Sequence, residues 1–278
     1  MVVYATARDI AYSEHTAPLS IKTTLKGREV YEVNRTPIAV DESSYLVLNN
    51  DQPYASYIYS DEEVESFCVF FRDGLEREVS AALEYSHEQL LERPAPELAA
   101  TPIFFQTLRQ QHPALSRQIK QLHAGITSGL ASQLWLDERC NSIMEFLLQT
   151  RRQVLTEVER LPLVKPSTRT EIYKRLCRAK DYMESCYEEP VTLTTLAEVA
   201  CLSRHHFLRL FKEAFDITPH RYLTDVRLRH ARKLIEEKGY AVARACHLVG
   251  FENQSSFSRL FRRRFGQSPS SARSTGQK

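Results

Sequence analysis

The sequence predicts a multidomain α+β protein with a strand-rich front, a helical middle and an all-helical rear built from one unit used twice. Three observations carry this reading. Short runs rich in Val, Ile, Tyr, Thr and Phe, divided by turn formers, fill the first 75 or so residues. Apolar stripes at helical spacing then take over. In the last third one aromatic pattern occurs twice.

The front reads as an antiparallel sandwich or small barrel. Its strands are expected at Ile21–Thr24, Val30–Val33, Pro37–Val40, Tyr45–Leu48, Tyr54–Tyr59 and Glu65–Phe71. Lys26-Gly27, Asn34-Arg35, Asp41-Glu42-Ser43 and Asn49-Asn50-Asp51 separate them. Leu75–Leu91 then turns helical, and Pro94 and Pro96 interrupt it. Pro102–Gln111 and Pro113–Ile126 read as helices opened by proline. Ser132–Arg160 carries a stripe of Ile143, Phe146, Leu147, Leu155, Val158 and Leu161, which fits either a dimer seam or packing within the chain. Pro162 and Pro166 mark a linker. The expected domains are therefore 1–95, 96–165 and 166–278.

Charge divides at the same linker. Residues 1–165 hold 16 Lys and Arg against 23 Asp and Glu, a net −7, and residues 166–278 hold 21 against 12, a net +9. An acidic front and a basic rear imply two tasks, the rear being suited to a polyanion. No run approaches the roughly 20 apolar residues of a membrane span. The start, MVVYATARDIAYSEH, has no basic region followed by an apolar run, so a cytoplasmic location without membrane contact is expected. The six cysteines form no C-x-x-C pair and are expected to be reduced. The strand region offers His15 and, beyond it, His87, with no H-x-H, so a metal-dependent enzyme on a barrel lacks its ligands. No phosphate loop or nucleophile–base arrangement stands out. The expectation is a non-enzyme with no catalytic residue, metal or cofactor.

In the rear, F-x-R-L-F-x-x-x-F-x-x-x-P occurs at Phe207, Arg209, Leu210, Phe211, Phe215 and Pro219, and again at Phe257, Arg259, Leu260, Phe261, Phe265 and Pro269. At about 100° per residue the Phe and Leu positions share one helix face. His205, Leu208, Arg209 and Lys212 take the other face in the first copy, and Ser255, Ser258, Arg259 and Arg262 in the second. A short helix and a tight turn precede each copy. Ser203 and Asn253 stand at N-cap positions, and Gly250 suits a positive-φ turn. Small Ala197 and Cys246 allow close helix approach. This is helix-turn-helix logic in tandem.

The region from Tyr173 to Arg273 resembles the AraC/XylS family of transcription regulators. The resemblance rests on Leu196-Ala197, Ser203, Phe207-x-Arg209-x-Phe211-Lys212, Thr218-Pro219-x-x-Tyr222-Leu223, Arg227-Leu228, Ala231 and Leu234. It continues in Gly250-Phe251, Ser256-Phe257-x-Arg259-x-Phe261 and Ser268-Pro269. The chain departs from the family pattern at Asp216, where a glycine often ends the first recognition helix, at Cys246 and Arg262, and at Ser271-Ala272-Arg273.

The resemblance implies two helix-turn-helix subdomains joined by a rigid helix, here about Pro219–Lys238, and double-stranded DNA read in two adjacent major grooves. Base-edge contacts carry over to His205, Leu208 and Arg209 and to Gln254, Ser255, Ser258 and Arg259. Arg204, Lys212 and Arg262 suit phosphates, while Arg263 and Arg264 suit phosphate or solvent. For Arg209 and Arg259 an intramolecular ion pair is the competing use. The front is similar to a cupin-like effector and dimerisation domain, followed by a helical dimerisation segment. Tyr31, Tyr45, Tyr54, Tyr57 and Phe70 are then pocket candidates, or plain core. The resemblance also implies a homodimer, an unidentified small-molecule effector and activation through RNA polymerase. A ligand-independent regulator whose front only dimerises is the alternative.

Overall fold

The computed structural model describes residues 1–92, 101–129 and 131–276. It divides into two compact units, Met1–Glu159 and Arg160–Lys278. The pair Pro94 and Pro96 lies outside the described residues.

The first unit is a curled antiparallel sheet, a half-barrel. Its strands are β1 Val2–His15, β2 Ser20–Lys26, β3 Arg28–Val33, β4 Thr36–Asp41, β5 Ser44–Leu48, β6 Tyr54–Phe70 and β7 Arg109–Gln110. They run in the order β4-β3-β6-β2-β5-β7, with β1 along the other edge of β6. β6 pairs with β3 over Tyr54–Tyr57 and with β2 over Glu65–Phe70, so two strands share one of its edges. β4 closes against β2 and β5, and the sheet curls. Between β3 and β4, Asn34 and Arg35 both take positive φ (51° and 62°), as a two-residue hairpin of matching twist requires.

Side chains alternate between the two faces. Tyr31, Val33, Ile38, Val40, Leu46, Leu48, Tyr54 and Leu108 pack together inside the curl. Leu19, Ile21, Tyr45, Val47, Phe67 and Val69 face the other way and meet helices. Those helices are α1 Leu75–Glu84, α2 His87–Glu92, α3 Pro113–Thr127 and α4 Gln133–Glu159. Leu75, Leu115, Ile119, Leu122, Ile143, Met144, Leu147 and Leu148 from α1, α3 and α4 complete this second core. Ile143 and Leu147 of the α4 stripe are thus used within the chain, and Phe146 packs partly buried beside them.

Three expectations need correction. β1 was not read as a strand. It is exposed on nearly every residue, so it has no apolar alternation, and its order comes from pairing along β6. The two strands expected at Tyr54–Tyr59 and Glu65–Phe71 are one 17-residue strand, because β1 pairs with it on both sides of the polar stretch, across a register shift between Ala7 and Asp9. Pro102–Gln111 is no helix. Asn49 takes both backbone groups of Phe104, with Nδ2 donating to the carbonyl and Oδ1 accepting from the N–H, each at 2.8 Å. Gln110 and Arg109 then pair with Ser44 and Tyr45. These long-range partners outbid the local helical pattern.

The second unit is entirely helical among the described residues: α5 Pro166–Ser185, α6 Leu193–Val199, α7 Arg204–Phe215, α8 Pro219–Glu236, α9 Val242–Leu248, α10 Gln254–Phe265 and α11 Pro269–Gly276. α6 and α7 form the first helix-turn-helix, α9 and α10 the second, and α8 contacts helices of both.

Candidate nucleic-acid interface

The two copies of the aromatic pattern fold alike in detail. Phe207 and Phe211 are fully buried, as are Phe257 and Phe261. Ring centroids stand 5.4 and 4.7 Å apart along Phe207–Phe211–Phe215, and 5.6 and 4.7 Å along Phe257–Phe261–Phe265. Burying such an aromatic side chain contributes roughly 1.5–3 kcal/mol. The underside of each recognition helix is therefore committed to its own subdomain. The caps are in place as well: the side chains of Ser203 and Asn253 accept from the N–H of His206 and Ser256. Ala197 and Cys246 are 2% and 3% exposed, which permits the close crossing of α6 on α7 and of α9 on α10.

The opposite faces are open. Arg204, His205, Leu208, Arg209 and Lys212 on α7 are all exposed. So are Gln254, Ser255, Arg259 and Arg262 on α10, with Ser258 half-buried. Among the described residues Arg204, Arg209, Lys212, Arg259 and Arg262 make no hydrogen bond and no ion pair. The competing use of Arg209 and Arg259, an internal ion pair, is absent there. Arg264 differs from its neighbours: its Nε donates to Asp225 Oδ1 at 2.6 Å, tying α10 to α8.

Sequence reading missed the polar joints that fix the frame. Arg227 on α8 donates from Nε to the Tyr187 carbonyl and from Nη2 to the Glu189 carbonyl, each at 2.8 Å. Gly250, at φ +81°, sits against this joint. A Cβ there would come within 2.8 Å of the Glu188 carbonyl and 3.0 Å of Arg227 Nη2. The turn residue of the second helix-turn-helix is thus wedged against the α5–α6 connection. Glu184 on α5, 6% exposed, accepts from Tyr222 Oη and, at 2.7 Å, from Arg229 Nη2. Burial, reinforced by the Glu184 carboxylate, holds the Tyr222 phenol well above its usual value, so it stays a donor. The motif positions Tyr222 and Arg227 are visible in the sequence; their partners are not, because those lie 38–40 residues away.

In the first unit the five aromatic candidates do not share a face. Tyr31 and Tyr54 lie inside the curl, with ring centroids 6.1 Å apart, and Phe70 joins them beneath Lys22. Burial pushes the Tyr54 hydroxyl up to about 12. Tyr45 is on the helix-facing side, beside a cavity of about 20 Å³. That volume suffices for a water, not an effector. Tyr57 alternates with Tyr54 along β6 and its ring lies tilted against that of Tyr59, with centroids 5.4 Å apart; Tyr59 is itself 70% exposed. Among the described residues no disulfide forms: Cys68, Cys177 and Cys246 are buried, Cys140 and Cys186 half-buried, and Cys201 exposed. Among the described residues no cluster of His, Cys, Asp or Glu could hold a metal, and no helix is long and apolar enough to cross a membrane.

A pair of capped helix-turn-helix units with open, cationic outer faces defines a tandem helix-turn-helix domain. Comparison with known proteins gives relatives of this domain. Residues 196–275 match the family described as "Helix-turn-helix domain". The chain is 39% identical over 89 residues to the "Probable transcriptional regulator LumQ" of Photobacterium leiognathi, covering 32% of this chain and 36% of that one. It is 36% identical over 100 residues to the "HTH-type transcriptional activator RhaS" of Yersinia pestis, covering 36% and 37%. A solved transcriptional regulator with an AraC-type DNA-binding domain, from Chromobacterium violaceum, is 28% identical over 37% of this chain and 93% of that one, with a TM-score of 0.36. Residues 196–275 of this chain form a helix-turn-helix domain similar to those of these regulators. The matches span only about a third of the length of these curated relatives.

Proposed function

We propose that the chain is a sequence-specific DNA-binding transcription regulator whose α7 and α10 enter successive major grooves on one face of the duplex. The carrying observation is the pair Arg209 and Arg259. They occupy equivalent positions of a duplicated helix, both are exposed, and neither has an internal partner among the described residues. A guanidinium left free on a recognition helix matches the O6 and N7 of guanine. His205 and Leu208 extend the first reading face, and Gln254, Ser255 and Ser258 the second. Gln suits adenine, and Leu208 a thymine methyl. Arg204, Lys212 and Arg262 serve phosphates. The grooves are roughly 34 Å apart on one duplex face.

In this reading the half-barrel is a cupin-like regulatory domain holding a small-molecule effector, and the protein works as a homodimer that activates by contacting RNA polymerase. The curled sheet with polar groups in its concave face supports the effector role. The exposed Leu134 and Ile126 on the α3–α4 hairpin support pairing of two copies. The resemblance supports activation. Selection of bound sequences from random duplexes, followed by titration across salt, tests the proposal. A bipartite consensus with strongly salt-dependent affinity is expected. Recovery of no consensus, with equal affinity for selected and random duplexes, would contradict it.

A further inference from the structure

Between α3 and α4 the first unit holds a cleft of about 570 Å³. Among the described residues it is lined by Ala124, Gly125, Ser128, Ala131, Trp135 and Arg139. It lies on the helix-covered side of the sheet, not in the curl. Its volume falls within the range of small-molecule pockets. Helical spacing builds both walls. Ala124 and Ser128 stand four residues apart at the end of α3, and Trp135 and Arg139 stand four apart on α4.

Gly125 is what admits the indole. A Cβ there would stand 2.6 Å from Trp135 Cη2 and 2.8 Å from Cζ3. Glycine weakens a helix, and the close approach of the ring is the reason for it here. Trp135 also packs, partly buried, against the core of the unit. The ring is therefore seated before any ligand arrives. The facing wall carries only small side chains, Ala124, Gly125, Ser128 and Ala131, so the cleft is left as a slot.

One cation serves this slot. The Arg139 guanidinium carbon lies 6.0 Å from the centroid of Trp135. A guanidinium has five donors. Among the described residues only Nη2 is used, donating to Glu138 Oε1 at 2.8 Å. Nε is shut away from water and has no acceptor. Glu138 already offsets the positive charge. Arg139 thus lacks a hydrogen-bond acceptor rather than a counter-charge.

We infer that the cleft binds a flat aromatic molecule carrying a neutral acceptor oxygen, with its ring against Trp135 and its oxygen on Arg139. Indole and guanidinium both favour a flat π-system over an aliphatic body of equal size. A carbonyl oxygen supplies the acceptor that the chain withholds. This site goes beyond the effector reading of the curl and beyond DNA binding, and it depends on neither.

The chain has one tryptophan, so a single indole N–H signal in the NMR spectrum of the isotope-labelled full chain reports the site. The probe is acetophenone. Toluene offers the ring without the oxygen, and cyclohexyl methyl ketone the oxygen without the flat ring. Acetophenone is expected to move the Trp135 signal saturably at millimolar concentration, with each control binding roughly fivefold more weakly or worse. Arg139→Leu should weaken acetophenone by a similar factor and leave toluene unchanged. Ala124→Leu, at an exposed position, should fill the slot and remove the response. Equal shifts from all three compounds, no shift from acetophenone, or a full response in both variants would overturn the inference. Light scattering at the same concentrations tests the other occupant. A Trp135 signal that follows dimer formation and ignores acetophenone would assign the cleft to a second copy of the chain and overturn the inference as well.

Discussion

The two helix-turn-helix units share an underside and differ in what they show to solvent. Their phenylalanine ladders agree to within 0.2 Å in ring spacing. Beside the matched Arg209 and Arg259 their outer faces do not agree: His205 and Leu208 stand where Ser255 and Ser258 do. The turns differ too. The first passes through Cys201 at φ 51°, exposed, and the second through Gly250, wedged against the Glu188 carbonyl. The recognition helices end in Asp216 at φ 54° and in Gly266 at φ 77°. The lesson is a division of labour. Buried apolar repeats fix how a unit folds, while exposed positions vary and, in the proposed function, set what it reads. Unlike faces on like frames predict two half-sites of different sequence.

The largest expected effect tests the wedged turn. Gly250→Val forces a β-branched residue into positive φ and its Cβ into a carbonyl. It should destabilise the second unit by about 3 kcal/mol, read by denaturant unfolding of the C-terminal unit's signal. Cys201→Val, at the open turn, should cost clearly less, and equal costs would erase the distinction between the turns. Next, Arg259→Ala and Arg209→Ala should each weaken binding to the selected duplex by about 1–3 kcal/mol. Each should relax preference at a different base pair, and the double variant should show roughly additive loss. A common base position for both would contradict the assignment of separate grooves. Lys212→Ala and Arg262→Ala should lower affinity alike on specific and random duplexes, each reducing the salt slope by about 1. The smallest effect sharpens the helix ends: Asp216→Gly should stabilise by about 1 kcal/mol in thermal unfolding, since a side chain at positive φ carries strain that glycine avoids. A destabilisation there would mean that the Asp216 side chain holds the end in some other way.

The recognition helices were legible because their information is local. The F-x-R-L-F repeat, the Ser203 and Asn253 caps and the Gly250 turn all act within a few residues of sequence, and each lands as expected. The half-barrel was legible only where strands are amphipathic. β1 has both faces largely exposed and so carries no pattern. Pro102–Gln111 looked helical because nothing local announces that Asn49 will occupy the backbone of Phe104. Lys22 drew no notice in a run reading Ser-Ile-Lys-Thr-Thr, where a lysine looks like an exposed position. Its burial depends on β6 bringing Tyr54 and Phe70 across the curl. Arg264 looked as free as Arg263, and only the fold sets Asp225 beside it.

The central claim is that two separate arginine faces touch two separate stretches of one duplex. Methylation interference at guanine N7, run on the selected duplex with the unaltered chain and with Arg209→Ala and Arg259→Ala, tests it most directly. The account predicts two clusters of interfering guanines on one face of the DNA, about one helical turn apart, with one cluster vanishing in each variant. A single cluster, or loss of the same cluster in both variants, would contradict it.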